Sequence, residues 1–357
     1  MANQVLYGFI GLKDVLGQRL STVDAELITG AIQQSVDEHN RQMDALMSLF
    51  VSPVTSATER YKQTGPARLQ PLDENGRALP IKPFGYYDVA YPIQMAGSAW
   101  GANYVARAKM TVQDANDATA QMLEADMRWM RDHILSALFA SATWSFTDPQ
   151  YGTLTVQPLA NGDTVTYAVQ TGADSGATDT HQLAQANAIG AGSDNPFPTI
   201  RNELLEHPEN SGDVIVFLPT GLKAATQALA TFNPIADPNI QPGSGTDRLV
   251  GTLGVATPGN LIGYEDSGVW LIEWPSLPAN YMIATTTGGD RPVGMREDPE
   301  AELRGFKRVA ERDNHPFYES QWLRRAGFGA RNRVGAAVIR VGNGTYAVPT
   351  GYTPPMG

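Results

Sequence analysis

The sequence predicts an α+β fold with more than one lobe. Three observations carry this. An extended, turn-rich stretch runs from Val51 to Lys109, one long amphipathic helix follows from Thr111 to about Ala140, and a strand-rich run returns late, from Ala310 to Gly344. The chain of 357 residues is ample for a large core.

Residues 1–20 hold three glycines and no helical period, and read as an extended arm. Ser21 or Thr22 can cap a first helix, with Asp24 favourable in its first turn. Ile28, Ile32, Val36, His39, Met43, Leu46, Met47 and Phe50 then fall on one face, and the run stops at Ser52-Pro53. This helix reads equally as a core element or as one that packs between subunits. From Val51 to Lys109, Pro53, Pro66, Pro71, Pro80, Pro83 and Pro92 forbid a long helix. Within that stretch "RLQPLDENGRALPIKP" predicts two short strands around a turn at Asp73-Glu74-Asn75-Gly76. Apolar anchors are few and both charge signs are scattered along it, on Arg60, Lys62, Arg68, Asp73, Glu74, Arg77 and Lys82. A loop of this length is usually functional or disordered. The functional alternative to a solvated loop is a hairpin that lies across a neighbouring subunit.

Thr111 and Asp114 form the start of a capping box for the long helix. Val112, Ala115, Met122, Leu123, Met127, Met130, Ile134 and Leu138 make its apolar stripe, while Asp117, Glu124, Arg128 and Arg131 lie off it. At 1.5 Å per residue, about 30 residues span roughly 45 Å. "TLTVQPLANGDTVTYAV" then predicts a hairpin turning at Asn161-Gly162, and Gln170 to Pro198 reads as a long surface connection. A short helix (Thr199 to Glu206), a buried strand (Asp213 to Pro219) and a following helix over "GLKAATQAL" open an α/β lobe. "NPIADPNIQPGSGTDRLVG" is a long loop, "GVWLIEWP" and "NYMIATTT" are strands, and Arg304 to Val341 supplies late strands with a bend around Gly329 to Gly335.

Composition excludes several functions. A net charge of -11 opposes nonspecific phosphate binding and attachment to anionic membranes. Cysteine is absent, which removes disulfides, thiolate metal sites and cysteine nucleophiles. No apolar run reaches the roughly 18 residues of a membrane helix, and the N-terminus lacks the pattern of a signal peptide. The expected location is therefore cytoplasmic when the chain is made. None of the five histidines, at 39, 133, 181, 207 and 315, has metal-ligand spacing on a helix. No nucleophile elbow, P-loop or zincin motif is present. "GSGTDR" and "GFGARN" begin but do not complete a dinucleotide fingerprint, and the Asp290, Arg291, Arg296, Glu297, Asp298 cluster reads as local ion pairs. No catalytic, cofactor-binding or metal residue is assigned, and no cofactor is expected.

The order of parts resembles the major capsid protein of tailed bacteriophages of the HK97 type. The most specific pieces are "ERDNHPFYESQWLRRAGFG" with "NRVGAAVIRVGNG", and "ANYMIATTTGGDRPVGMREDPE". The resemblance implies an N-terminal arm and helix over 1–50, an E-loop over 51–109, a P-domain with spine helix over 110–198, an A-domain over 199–310, return strands of the P-domain over 311–345 and a tail over 346–357. It implies a non-enzymatic subunit that assembles with itself into pentamers and hexamers of an icosahedral shell. That shell encloses double-stranded DNA without reading its sequence, in a virion assembled in the host cytoplasm, with a portal and scaffolding or decoration proteins as further partners. A cleaved helical scaffold segment is not expected, because only about 20 unpatterned residues precede the first helix. Some relatives crosslink a lysine to an asparagine. Lys62 and Lys82 lie in the hairpin, but no matching asparagine and acid are identified, so that activity is not carried over. The expected subunit contacts are the seven charged hairpin residues named above, together with Glu311, Asp313, Arg324, Arg325, Arg331 and Arg333. The alternative is an encapsulin-like bacterial compartment shell, against which the long hairpin and the connection after residue 145 weigh. Neighbouring genes, portal and terminase or a cargo enzyme, discriminate the two; an unrecognised enzyme is the third reading.

Overall fold

A computed structural model describes residues 16–19, 22–23, 25–63, 69, 71–78, 85–170, 177–234, 257–314 and 317–356. Most of the predicted arm lies outside these residues. Its described end, at Leu16 and Gln18, accepts backbone hydrogen bonds from Gln113 and Val112.

Helix α1 (Ala25–Met47) forms where the 3.6-residue period predicts it, with Ile28, Val36, His39 and Met43 buried. The chain then runs through the fully buried Leu49 and Phe50 into β1 (Val51–Val54). Strands β2 (Thr58–Lys62) and β3 (Tyr86–Ala90) pair antiparallel from Thr58↔Ala90 to Lys62↔Tyr86. They form the base of the predicted hairpin, and its turn falls at Asp73–Arg77 as expected. Asp73 Oδ1 accepts the Asn75 and Arg77 amides at 2.9 and 2.7 Å, and Gly76 takes φ +73°, a value that favours glycine. Strand pairing occurs at the base; Leu69 and residues 71–78 carry no strand.

The stretch 51–109, read from the sequence as one extended unit, is divided. Beyond the hairpin come β4 (Ile93–Asn103), a short helix α2 (Tyr104–Lys109) and α3 (Val112–Phe139). The capping box of α3 is complete, with Thr111 Oγ1 accepting the Asp114 amide and Asp114 accepting the Thr111 amide at 2.8 Å. Next come β5 (Trp144–Asp148), β6 (Gly152–Val156), β7 (Asn161–Tyr167), β8 (Ala177–Thr180) and β9 (Gln182–Gln185). The hairpin expected at Asn161-Gly162 does not form. β6 pairs β5 and β7 pairs β8, because Leu159 and Ala160, at the foot of the expected turn, are fully buried. The Ala160 amide donates to Arg333 O and its carbonyl accepts from His181, so burial overrides the turn signal. The predicted surface connection after Gln170 is likewise structured in part, since β8 and β9 lie in it.

The remaining elements are α4 (Phe197–Leu205), β10 (Asn210–Leu218), α5 (Thr220–Gln227), β11 (Phe232–Pro234), β12 (Asn260–Glu265), β13 (Val269–Glu273), β14 (Tyr281–Gly289), β15 (Val293–Glu297), β16 (Lys307–Asn314), β17 (Phe317–Ala330) and β18 (Ala336–Val341). Most of the predicted Pro/Gly loop, residues 235–251, lies outside the described residues. A seven-stranded sheet has the order β11-β12-β13-β10-β14-β18-β9. Val214, Val216 and Leu218 face Phe197, Ile200 and Leu204 of α4, while Ile215 and Phe217 face Ile134, Leu138 and Phe139 of α3. Both faces are covered, which is why "DVIVFL" reads as an unbroken apolar run.

The second sheet has five strands. β17 carries β4 along one edge, from Phe317↔Asn103 to Gly327↔Ile93, and β16 and β15 end to end along the other, with β1 parallel to β15. β18 leaves this sheet for the seven-stranded one, so the late strands expected as one set are shared between two sheets. The sheets meet over Phe50, Met295, Phe328 and the C-terminal half of α3.

Close packing at β15 gives a test. A Cβ on Gly294 would lie 2.2 Å from the ring of Tyr91, which is fully buried. Gly294→Ala is expected to cost about 1–3 kcal/mol, the usual cost of overpacking, read from the denaturant midpoint. A midpoint equal to wild type would refute the packing described.

Candidate assembly surface and its internal anchors

The hairpin has two ends of opposite character. At its base Tyr61, Tyr87 and Val89 are buried with Tyr91, Ala160, Tyr167 and Val334. At its tip residues 71–78 are all exposed, Leu69 is 99% exposed and Leu72 61%. Leu69 and Leu72 are therefore apolar side chains that the described residues of their own chain leave largely uncovered.

Of the predicted contact residues here, Arg60 bridges across the pair to Asp88, with Nε to Oδ1 at 2.8 Å, and lies 4.4 Å from the Tyr86 ring centroid. Asp73 holds the turn. Lys62, Glu74 and Arg77 are exposed, and Arg68 and Lys82 lie outside the described residues.

Two of the four late arginines are enclosed by their own chain. Arg324 is buried and meets Asp126 of α3 through two bonds, Nε to Oδ1 at 2.7 Å and Nη2 to Oδ2 at 2.5 Å. His39 Nε2 reaches the same Oδ2 at 2.8 Å, and Arg324 also donates to Asn40 Oδ1 at 3.2 Å. Burial alone would raise the Asp126 carboxyl, but the hydrogen bonds and charges of Arg324 and His39 outweigh it and hold it below its ordinary value. Arg333 is fully buried and donates to the carbonyls of Pro158 and Leu159 and to Asp163 Oδ2, the last at 2.8 Å. The expected subunit contact is therefore corrected for these two. A side chain enclosed by its own subunit has no surface to offer, and the missing signal was long-range, since Asp126 and Asp163 are remote in sequence.

Arg331 and Arg325 are partly exposed and paired within the chain. Arg325 meets Asp298 at 2.7 Å. Arg331 takes both oxygens of Glu59 in β2, at 3.1 and 3.0 Å, and lies 3.3 Å from Asp290. Tyr91 donates to the same Glu59, and Tyr61 OH lies within 3.1–3.2 Å of Asp290 and Glu209. Arg331 thus ties the hairpin base to the body. Glu311 and Asp313 sit in β16, opposite Ser320 and Tyr318 of β17, and their side chains lie outside the described residues.

A cluster absent from the sequence reading lies at the edge of the seven-stranded sheet. Asp179 Oδ2 is 3.0 Å from His181 Nε2 and 2.9 Å from His207 Nε2, and the two Nε2 atoms are 3.0 Å apart. Burial would raise the Asp179 carboxyl, but the two histidines outweigh it and hold it well below the carboxylate range. Glu203 is pushed up to about 8, first by burial and then by the Asp179 and Glu206 charges. The available signal was the Asp-x-His spacing, which puts both side chains on one side of an extended segment.

No family model and no curated protein matches the sequence. Among solved structures, the fold matches one from Mycobacterium phage Patience at TM-score 0.67 and 20% identity, covering 100% of this chain and 99% of that one. The likeness establishes a shared fold over the whole chain. The mature capsid of bacteriophage PhiM1 aligns at TM-score 0.49 and 10% identity over 84% and 87% of the two chains. The capsid of cyanophage P-SCSP1u aligns at 0.49 and 11% over 82% and 86%.

Proposed function

We propose that this chain is the shell subunit of a tailed-phage capsid of the HK97 type, which joins copies of itself into pentamers and hexamers around double-stranded DNA. The observation that carries this reading is the full-length agreement of its fold with a phage structure, and an anchored hairpin with an apolar, exposed tip fits it. On this reading the hairpin within 51–109 is the E-loop, α3 is the spine helix of the P-domain, and the seven-stranded sheet belongs to the A-domain. Arg60, Lys62, Arg68, Asp73, Glu74, Arg77 and Lys82 at the hairpin, Glu311 and Asp313 on β16, and the partly exposed Arg325 and Arg331 are the residues assigned to subunit contacts. Closed shells need interfaces whose rotations close into rings, and an arm reaching a neighbour adds buried area beyond the globular footprint. The net charge of -11 suits a wall that encloses DNA without gripping it. The virion is the expected location, and a portal is the expected partner at one vertex. Sedimentation velocity of the purified protein tests the reading. Large closed species are expected, whereas a compact monomer under every assembly condition would contradict it.

A further inference from the structure

We propose that Asp179, His181 and His207 form a structural site for one divalent transition-metal ion, with Zn2+ as the simplest occupant. His181 and His207 are fully buried, and each Nδ1 lies on a backbone carbonyl, Ala336 O at 3.0 Å and Ala168 O at 2.8 Å. A ring nitrogen on a carbonyl carries its hydrogen there. In neutral rings this turns both Nε2 lone pairs inward, towards each other at 3.0 Å and towards the Asp179 carboxylate. Two lone pairs and an anion at that separation repel, and either a proton held between them or a metal ion among them relieves the repulsion; the three converging donors suit the ion. Backbone carbonyls behind metal-bound histidines fix tautomer and ring orientation in the same way.

The three donor atoms lie at the corners of a nearly equilateral triangle, 2.9–3.0 Å on a side. An ion about 2.0–2.2 Å from each donor, the ordinary range for zinc, would sit above that triangle with donor–ion–donor angles near 90°. Outward movement of the donors by about 0.2–0.4 Å reaches the tetrahedral arrangement. Glu206 Oε1 lies 3.6 Å from His207 Nε2 but outside the mutually close set of three donors, so it would reach an ion there only after a side-chain shift, and a water is the simpler fourth ligand. Two imidazoles with carboxylates suit zinc and its first-row neighbours rather than calcium or magnesium. With both histidines enclosed, the site has the closed character of a structural rather than a catalytic metal.

The position gives the ion a task. Asp179 is in β8, His181 enters β9, His207 follows α4, and the carbonyl behind His181 opens β18. An ion there would staple the helix end to the last strand of the seven-stranded sheet. Nothing in this inference depends on shell assembly.

The test uses the full-length protein, treated with a chelator, returned to buffer and titrated with Zn2+ and separately with Co2+. Elemental analysis is expected to give one ion per chain, with a rise in Tm that saturates at one equivalent. Cobalt is expected to give the visible d–d absorption of a low-coordinate site. Asp179→Asn and His181→Gln should each lose the ion and the Tm rise. Wild-type protein that takes up neither metal would overturn the proposal and leave a shared proton between the histidines. Stoichiometric uptake retained in both variants would overturn it as well. If a variant does not fold, the wild-type stoichiometry and cobalt spectrum decide.

Discussion

Deletion of Leu69 to Leu79 is expected to abolish shell formation while leaving the subunit folded with nearly its wild-type Tm. Residues 71–78 are exposed throughout, and Leu69 and Leu72 cover no part of their own chain's core. The pairing of β2 with β3, the buried tyrosines and the Arg331–Glu59 bonds all lie at the hairpin base and remain. Folding therefore loses little, whereas a neighbour loses the apolar and charged tip. Circular dichroism melts and sedimentation of the same preparation separate the two effects. Shells formed normally by the deletion variant would refute the role of the tip, and a subunit that fails to fold would refute the division between base and tip.

The second large effect is expected at the core. Asp126→Ala leaves Arg324 buried without its carboxylate, a change that typically costs about 3–5 kcal/mol. The same bridge should show in acid. The Asp126 carboxyl is held below its unfolded value, so its contribution is complete above about pH 5. It is lost as pH falls through the folded value. Asp126→Asn should therefore flatten the acid limb of the stability profile. A double variant, Asp126→Leu with Arg324→Met, should cost less than either single change, because an apolar pair leaves no unpaired charge. Equal stability of Asp126→Ala and wild type would show that the bridge carries nothing.

Legibility in the sequence followed the range of the interaction. α1 and α3 were legible because their stripes and the Thr111–Asp114 box are local, and the turn at Asn75-Gly76 because an exposed tip has nothing to override it. Asn161-Gly162 misled because Leu159 and Ala160 are claimed by the core. β4, with Gly97 and Gly101 among small residues, has little strand signature of its own and exists through pairing with β17 more than two hundred residues later. Arg324 and Arg333 were misread as contact charges, since Asp126 and Asp163, which enclose them, are distant in sequence and close only in the fold. In the Asp179, His181, His207 cluster the Asp-x-His pair is local, but His207 joins it only through the fold.

The most direct measurement of the central claim is cryo-electron microscopy of particles assembled from the purified chain, at side-chain resolution. The expected result is a closed icosahedral shell in which residues 69–78 of each subunit lie on a neighbour, with Leu69 and Leu72 covered, while Arg324 and Arg333 keep their intrachain partners. Particles in which that tip stays in solvent, or folds back on its own subunit, would contradict it.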